Sequence, residues 1–139
     1  MDPELAEVPA ALVTLIEWLH VQSFKTVRDT SSPANFGDRY LRLARDDTGV
    51  RLVRDRGQWF IDLSARAWGG GWFDVPLVMA ALQHEDARNA PDLAQQAAFV
   101  REHLDGPLSD PGRTGLSKVD LERLRERRFH ERMGTGEAR

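Results

Sequence analysis

Residues 39–63 read RYLRLARDDTGVRLVRDRGQWFIDL, and they decide the fold because two turns inside this stretch set the pairing of three strands. The second of these turns, at residues 56–57, is the simpler one to interpret. Arg56-Gly57 suits a two-residue hairpin loop, since glycine readily adopts the positive φ that such tight turns require. A loop of that length makes Asp55 and Gln58 the first residue pair of an antiparallel ladder.

The pairing that follows sorts the side chains onto two faces of a sheet. Counting outward from the turn sets Leu52 opposite Ile61 and Arg51 opposite Asp62. Because successive residues of a strand point to opposite faces, the aliphatic pair lies on one face and the charged pair on the other. Opposite charges that face each other across two strands also favour this register over a slipped one.

The first turn extends this arrangement to a third strand. Taken as a four-residue loop, residues 46–49 pair Arg45 with Val50 and Leu43 with Leu52, so that Leu43 joins the aliphatic face. The sequence thus predicts an antiparallel meander with strands at about 39–45, 50–55 and 58–63. The outer face of this meander would carry Tyr40, Arg42, Ala44, Arg51, Val53, Phe60 and Asp62.

Helical patterns flank the predicted meander on both sides. An apolar stripe follows Pro9, which suits the start of a helix. Asp74 is placed to cap a second helix, and a third starts at about Pro91. Ser117 begins a sequence that resembles a capping box, with Asp120 in place of the usual Glu or Gln, and opens a last helix rich in charge.

These elements predict an α+β fold in a single domain. Residues 1–116 would form a three- to four-stranded antiparallel meander packed on one face by helices, in which a short strand near residues 25–28 would be the fourth. Residues 117–139 would form a charged C-terminal helix and tail, peripheral to the same domain.

Composition places the chain among ordinary globular proteins of a reducing compartment. The absence of cysteine excludes disulfides and thiolate metal sites and is typical of a cytoplasmic protein. The N-terminal apolar stretch is interrupted by Glu17 and preceded by acidic residues, whereas a signal peptide carries positive charge there, and it is too short to span a membrane. The net charge is −3, yet residues 39–66 contain seven basic and four acidic side chains, a net +3. Arginines that solvate one face of the sheet are the simpler interpretation of this charge, and attraction of an acidic partner is the alternative.

We predict no catalytic, metal or cofactor site. The four histidines, His20, His84, His103 and His130, fall on different predicted elements and lack the paired spacing of metal ligands. Residues 69–71 are three glycines followed by Trp-Phe, whereas a phosphate-binding loop needs a lysine and a hydroxyl residue there. The sequence favours a binding protein over an enzyme. A small enzyme built around His84 or His103 beside carboxylates is the alternative.

The glycine-rich segment at residues 66–74, RAWGGGWFD, has two interpretations. Tryptophans beside flexible glycines can form an exposed anchor for a partner, because indoles bury a large area at protein interfaces. They can equally pack into the core while the glycines form a corner. Phe73 stands just before the capping Asp74, which favours the core for Trp72 and Phe73 and leaves both interpretations open for Trp68.

Two motifs within residues 50–82 carry a resemblance to a known group of proteins. VRLVRDRGQWFIDL, at residues 50–63, and WFDVPLVMAAL, at residues 72–82, resemble small bacterial proteins that include the immunity proteins of polymorphic or contact-dependent toxin systems. The resemblance implies a small cytoplasmic α+β domain without a catalytic constellation. It also implies binding to a cognate toxin whose active site is blocked or distorted.

We therefore expect a cytoplasmic protein-binding module, an immunity protein for a cognate toxin domain, and leave homodimerisation open. The expected contact surface consists of the turns at Asp46-Asp47 and Asp55-Arg56-Gly57, or of the outer sheet face with Arg42, Arg51 and Phe60, in either case together with Trp68.

A nucleic-acid-binding adaptor is the alternative use of the outer sheet face. Tyr40 and Phe60 lie among arginines there, as in sheets that stack bases on aromatic rings. Asp55 and Asp62 interrupt this basic patch, and the whole chain is acidic, which argues against nucleic acid as the partner.

Overall fold

The computed structural model describes residues 8–32, 38–65, 68–69, 71–83, 91–104 and 117–137. These residues form an α+β fold with four helices and one five-stranded antiparallel sheet. The helices are α1 Ala10–Val21, α2 Val75–Gln83, α3 Leu93–His103 and α4 Lys118–Glu137. The strands are β1 Lys25–Ser32, β2 Asp38–Arg45, β3 Thr48–Asp55, β4 Gln58–Ser64 and β5 Phe73–Asp74. They lie side by side in chain order.

The β3–β4 hairpin has the predicted register. Asp55 pairs with Gln58, and the ladder continues through the predicted pairs to Val50 and Leu63. Arg56 and Gly57 both have positive φ, 52° and 82°, which is the backbone that a two-residue type I′ turn requires. The prediction from the Arg-Gly turn is confirmed.

The β2–β3 turn is tighter than predicted. Arg45 pairs with Thr48 and Leu43 with Val50, so that the loop consists of Asp46 and Asp47 alone. Asp46 adopts a φ of 53°, a conformation that aspartate tolerates better than most residues. The predicted register is therefore wrong by two residues. A shift of two keeps every side chain on its predicted face, because side chains alternate with a period of two.

Two strands extend the predicted meander at its edges. β1 is eight residues long, where the sequence predicted a strand near residues 25–28, and its pairing with β2 is shifted by a bulge between Thr26 and Arg28. β5 is only two residues long and pairs Phe73 with Leu63. The sheet thus has five strands, one more than the upper limit of the prediction.

The inner face of the sheet forms the hydrophobic core together with the helices. All six aliphatic residues on the inner face are at most 1% exposed: Leu41, Leu43, Val50, Leu52, Ile61 and Leu63. They join one cluster with the buried stripe of α1 and with buried residues of α2, α3 and α4. Each fully buried aliphatic side chain of this kind contributes about 1.5–3 kcal/mol to folding.

The helix ends follow the predicted capping chemistry. The Leu77 backbone N–H donates to the Asp74 carboxylate at the start of α2 (3.0 Å), and the Asp120 N–H donates to Ser117 Oγ at the start of α4 (3.1 Å). An additional capping box, between Asp92 and Gln95, opens α3. None of the described helices is both long and apolar enough to cross a membrane.

Trp68 belongs to the core. Its side chain is 2% exposed and packs edge-on against Phe73, with ring centroids 5.5 Å apart. The Gly71 N–H donates to the Trp68 carbonyl oxygen (2.9 Å), which closes the corner between β4 and β5. The prediction that Trp68 lies on the contact surface is wrong, because the indole fills space beneath the corner instead of extending from it.

Candidate functional site

The outer face of the sheet brings together three of the eight predicted contact residues. Arg42, Arg51 and Phe60 all lie there, as the predicted alternation required. Phe60 is 44% exposed, and Tyr40, Arg42 and Val53 are half-buried. The aliphatic residues of the inner face, by contrast, are buried.

A row of five charged residues crosses the outer face from one edge of the sheet to the other. The pairing sets Arg28 of β1 beside Arg42, Arg42 beside Arg51, Arg51 beside Asp62, and Asp62 beside Asp74 of β5. We call these five residues the charged row. It is positive on the first three strands and negative on the last two.

The middle of the charged row is an ion pair between Arg51 and Asp62. Both Nε and Nη2 of Arg51 donate to Oδ2 of Asp62, at 2.9 and 2.7 Å. Burial of the Asp62 carboxyl raises its pKa, and the nearby charge of Asp74 acts in the same direction. The hydrogen bond and charge of Arg51, and the charge of Arg125, oppose that shift without reversing it.

An apolar row lies next to the charged row on the outer face. The register sets Tyr40 beside Val53 and Val53 beside Phe60. The Arg28 guanidinium lies 5.4 Å from the centroid of the Tyr40 ring, and that of Arg51 lies 6.0 Å from it. Both are within the range of cation–π attraction, so Tyr40 links the two rows.

Trp72 covers the other side of the charged row. Its ring lies 4.6 Å from the Arg51 guanidinium, and a Cβ added to Gly49 would stand only 2.7 Å from a ring carbon. Trp72 was predicted to share the core with Phe73. Phe73 does so, but Trp72 is half-buried on the opposite face of the sheet, because the missing side chain at Gly49 leaves room for the indole there.

Helix α4 holds Trp72 in this position. Arg125 of α4 donates a hydrogen bond to the backbone carbonyl of Trp72, and its guanidinium lies 4.2 Å from the centroid of the Phe73 ring. Leu121 of α4 is fully buried, which fixes the helix against the domain at the same point. The last helix thus supports the outer face from the β5 edge.

The two predicted turns lie at opposite ends of the sheet. Asp46-Asp47 precedes β3, and the second turn begins at Asp55, the last residue of β3, so the turns lie at opposite ends of an eight-residue strand, about 24 Å apart at 3.4 Å per residue. Asp46, Asp47, Asp55 and Arg56 are all exposed. The Arg56 N–H donates to the Asp38 carboxylate (3.1 Å), which fixes the second turn against β2. A contact surface that combines the two turns stays a prediction, and it would have to extend along the whole length of β3.

Sequence reasoning missed three residues of the outer face: Arg28, Trp72 and Asp74. The bulge in β1 changes the alternation after Thr26, so strict alternation does not indicate the face of Arg28. Asp74 was predicted only as a helix cap, and the β5 pairing that adds it to the charged row rests on two residues. Gly49 was the available signal for Trp72, because glycine inside a strand often marks a close approach by another group.

The described histidines lie on three different helices and make different contacts. His20 bonds to Thr26 (3.1 Å), the His103 ring packs on Phe99, and His130 is 3.7 Å from Glu126 on the exposed side of α4. His84 lies outside the described residues. In the part of the chain that the structure covers, no three His, Cys, Asp or Glu side chains are grouped as metal ligands would be.

Comparison with known proteins gave no match: no family model matches the chain, and no significant similarity was found to curated proteins or to solved structures. The case for a function therefore rests on the outer face of the sheet.

Proposed function

We propose that the protein is a protein-binding module of the immunity type, which neutralises a cognate toxin in the cytoplasm by occluding or distorting its active site. The proposed contact surface is the outer face of the sheet. The observation that carries this proposal is the grouping of Arg28, Arg42 and Arg51 with Tyr40, Phe60 and Trp72 on one accessible surface. Arginine, tyrosine and tryptophan are the residues most enriched among the hot spots of protein interfaces.

The scaffold supports this use because it holds the contact residues in place before a partner arrives. Tyr40, Arg42 and Arg51 project from β2 and β3, which are paired with strands on both sides, and Phe60 projects from β4, which is paired with β3 along its length. A side chain that is already ordered loses less conformational entropy on binding, which leaves more of the contact energy for affinity.

A nucleic-acid adaptor would use the same surface, and one observation favours it: aromatic rings lie among arginines on an accessible sheet. The charged row opposes it, because Asp62 and Asp74 would repel a phosphate backbone that continued across the sheet. The geometry therefore supports a protein partner better.

The experiment is a capture of the partner with the tagged protein from lysate of the source organism, repeated at high salt. Support requires a stoichiometric partner that is toxic when expressed alone and harmless when co-expressed with this chain. Nucleic acid released by salt in place of such a partner would support the adaptor, since binding to phosphates weakens steeply with salt.

Variants then test which surface makes the contact. Phe60→Asp places a charge in the apolar row and should abolish capture, while Gln58→Asp, on the same strand and face but at the turn, should preserve it. Changing Asp46 and Asp47 to lysine should also preserve it. Retained capture by Phe60→Asp together with loss in the turn variant would refute the outer face as the contact surface.

A further inference from the structure

Two arginines of the charged row face each other without a carboxylate between them. Arg28 and Arg42 are direct cross-strand partners, and Arg42 is also the partner of Arg51. Arg51 is neutralised by Asp62 and Arg28 lies against Tyr40. Among the residues that the structure describes, Arg42 forms no hydrogen bond or ion pair, although its side chain is half-buried.

This arrangement is unfavourable for the isolated protein. Like charges directly opposite each other on neighbouring strands destabilise a sheet. A guanidinium carries five N–H donors in a planar fork that matches the two oxygens of a carboxylate. An external oxyanion bound between Arg28 and Arg42 would remove the repulsion and use those donors.

The length of the positive part of the row limits the kind of anion. Arg28, Arg42 and Arg51 span three strands, about 10 Å at a strand spacing of about 4.8 Å. Asp62 and Asp74 follow directly in the same line. A chain of phosphates that continued along the row would meet these two carboxylates. A short acidic stretch of a protein fits, because it supplies one or two carboxylates and then ends.

The apolar row adds a second requirement for the occupant. Tyr40 and Phe60 lie two residues along their strands from the charged row, about 7 Å away at 3.4 Å per residue. An acidic segment bound at Arg28 and Arg42 therefore passes within side-chain reach of Tyr40. The surface suits carboxylates beside an apolar side chain.

We propose that Arg28 and Arg42 form a carboxylate-binding site, which takes a short acidic segment of the partner protein together with an adjacent apolar side chain on Tyr40. This proposal rests on the proposed function, since it names the chemistry of the partner at the same face. The segment lies over β1 and β2 and leaves the β4–β5 side to other contacts, because Asp62 and Asp74 repel further acidic residues.

The test is an NMR titration with hexaglutamate at low salt, which follows the arginine side-chain Nε–H signals and the Trp72 indole signal. We expect saturable shifts at Arg28 and Arg42. The double variant Arg28→Gln/Arg42→Gln should bind about tenfold more weakly, a loss of about 1.4 kcal/mol. The matched control is Arg123→Gln/Arg127→Gln, which removes the same charge from exposed positions on α4 and should bind as the wild type does.

Three results would overturn the proposal: equal binding by the two double variants, no shift at Arg28 and Arg42, or tighter binding of oligothymidylate than of hexaglutamate at this face. The results also distinguish a failure of the carboxylate-binding proposal from a failure of the proposed function. If Phe60→Asp loses the captured toxin while hexaglutamate moves no arginine signal, the contact surface stands and the acidic segment is refuted. If hexaglutamate binds at Arg28 and Arg42 while Phe60→Asp keeps the captured toxin and the Asp46/Asp47 variant loses it, the carboxylate site stands and the outer face is refuted as the contact surface for the toxin.

Discussion

The two faces of one sheet are built from alternate residues of the same strands, yet they differ in almost every property. The centre of the inner face consists of six aliphatic residues that are at most 1% exposed, and it is continuous with the helical core. The outer face carries a charged row, an apolar row and Trp72, all within reach of solvent. The difference indicates that the core packs on one side of the sheet, so the composition of the other side is not set by the core.

The two faces also differ in what they contribute to the stability of the fold. A buried aliphatic residue of the inner face contributes about 1.5–3 kcal/mol to folding. On the outer face, the neighbouring arginines at positions 28, 42 and 51 repel one another, and the carboxylate of Asp62 is held at a raised pKa by its burial. These are features that stability alone does not explain.

The largest expected effect separates the two tryptophans of the glycine-rich segment. Trp68→Ala should lower the free energy of unfolding by about 3–5 kcal/mol, because it empties a buried site in the core. Trp72→Ala should cost clearly less, because that ring is half-buried on the outer face. Urea unfolding of the two variants gives both values. Equal losses would contradict the division of the segment between the two faces.

Adjacent residues of β3 provide the next comparison. Leu52→Ala, on the inner face, should cost about 2–5 kcal/mol of unfolding free energy. Val53→Ala, one residue further on the outer face, should cost less than about 1.5 kcal/mol, because the removed methyl groups are already partly in water. If Val53→Ala proves as costly as Leu52→Ala in urea unfolding, the outer face is not the open surface that we describe.

Gly49→Ala tests how closely Trp72 is packed on the outer face. The new methyl group would lie 2.7 Å from a carbon of the indole, and we expect a loss of about 1–3 kcal/mol together with a change in tryptophan fluorescence. The control is the same substitution in Trp72→Ala protein, where the clash is gone and the loss should disappear. An undiminished loss in that background would place its cause in the strand itself.

The smallest expected effect is the contribution of Asp62 to the pH dependence of the unfolding free energy. A carboxyl group with a raised pKa binds its proton more tightly in the folded protein than in the unfolded chain. Its contribution to stability is therefore fully present below the ordinary pKa of aspartate. That contribution is lost as the pH rises through the raised pKa. The unfolding free energy of the wild type relative to Asp62→Asn should therefore fall as the pH rises through that window. A relative stability that increases with pH would show that the ion pair with Arg51 outweighs burial.

The sequence predicts the parts of this structure that depend on local chemistry. Arg56-Gly57 determines the β3–β4 register because few backbone conformations close a two-residue loop, and Asp74 and Ser117 mark helix starts because their side chains satisfy free backbone N–H groups. The β2–β3 register was missed by two residues because it depends on Asp46 adopting a positive φ, which no glycine signals.

The candidate site was predicted only in part because much of it depends on contacts between distant segments. Arg42, Arg51 and Phe60 follow from alternation within the meander. The placement of Arg28 depends on a bulge, and that of Trp72 depends on Gly49 and on Arg125 of α4. Trp68 and Trp72 flank the same glycines, and local sequence gives no reason for them to lie on opposite faces.

The central claim is that the inner face holds the fold while the arginines of the outer face serve a partner. Urea unfolding of Arg42→Gln beside the wild type tests it most directly. We predict that the unfolding free energy stays the same or rises by up to about 1 kcal/mol, because the substitution removes repulsion from Arg28 and Arg51 and breaks no ion pair among the described residues. A loss of more than about 1 kcal/mol would contradict the claim, because it would make Arg42 a structural residue of the sheet.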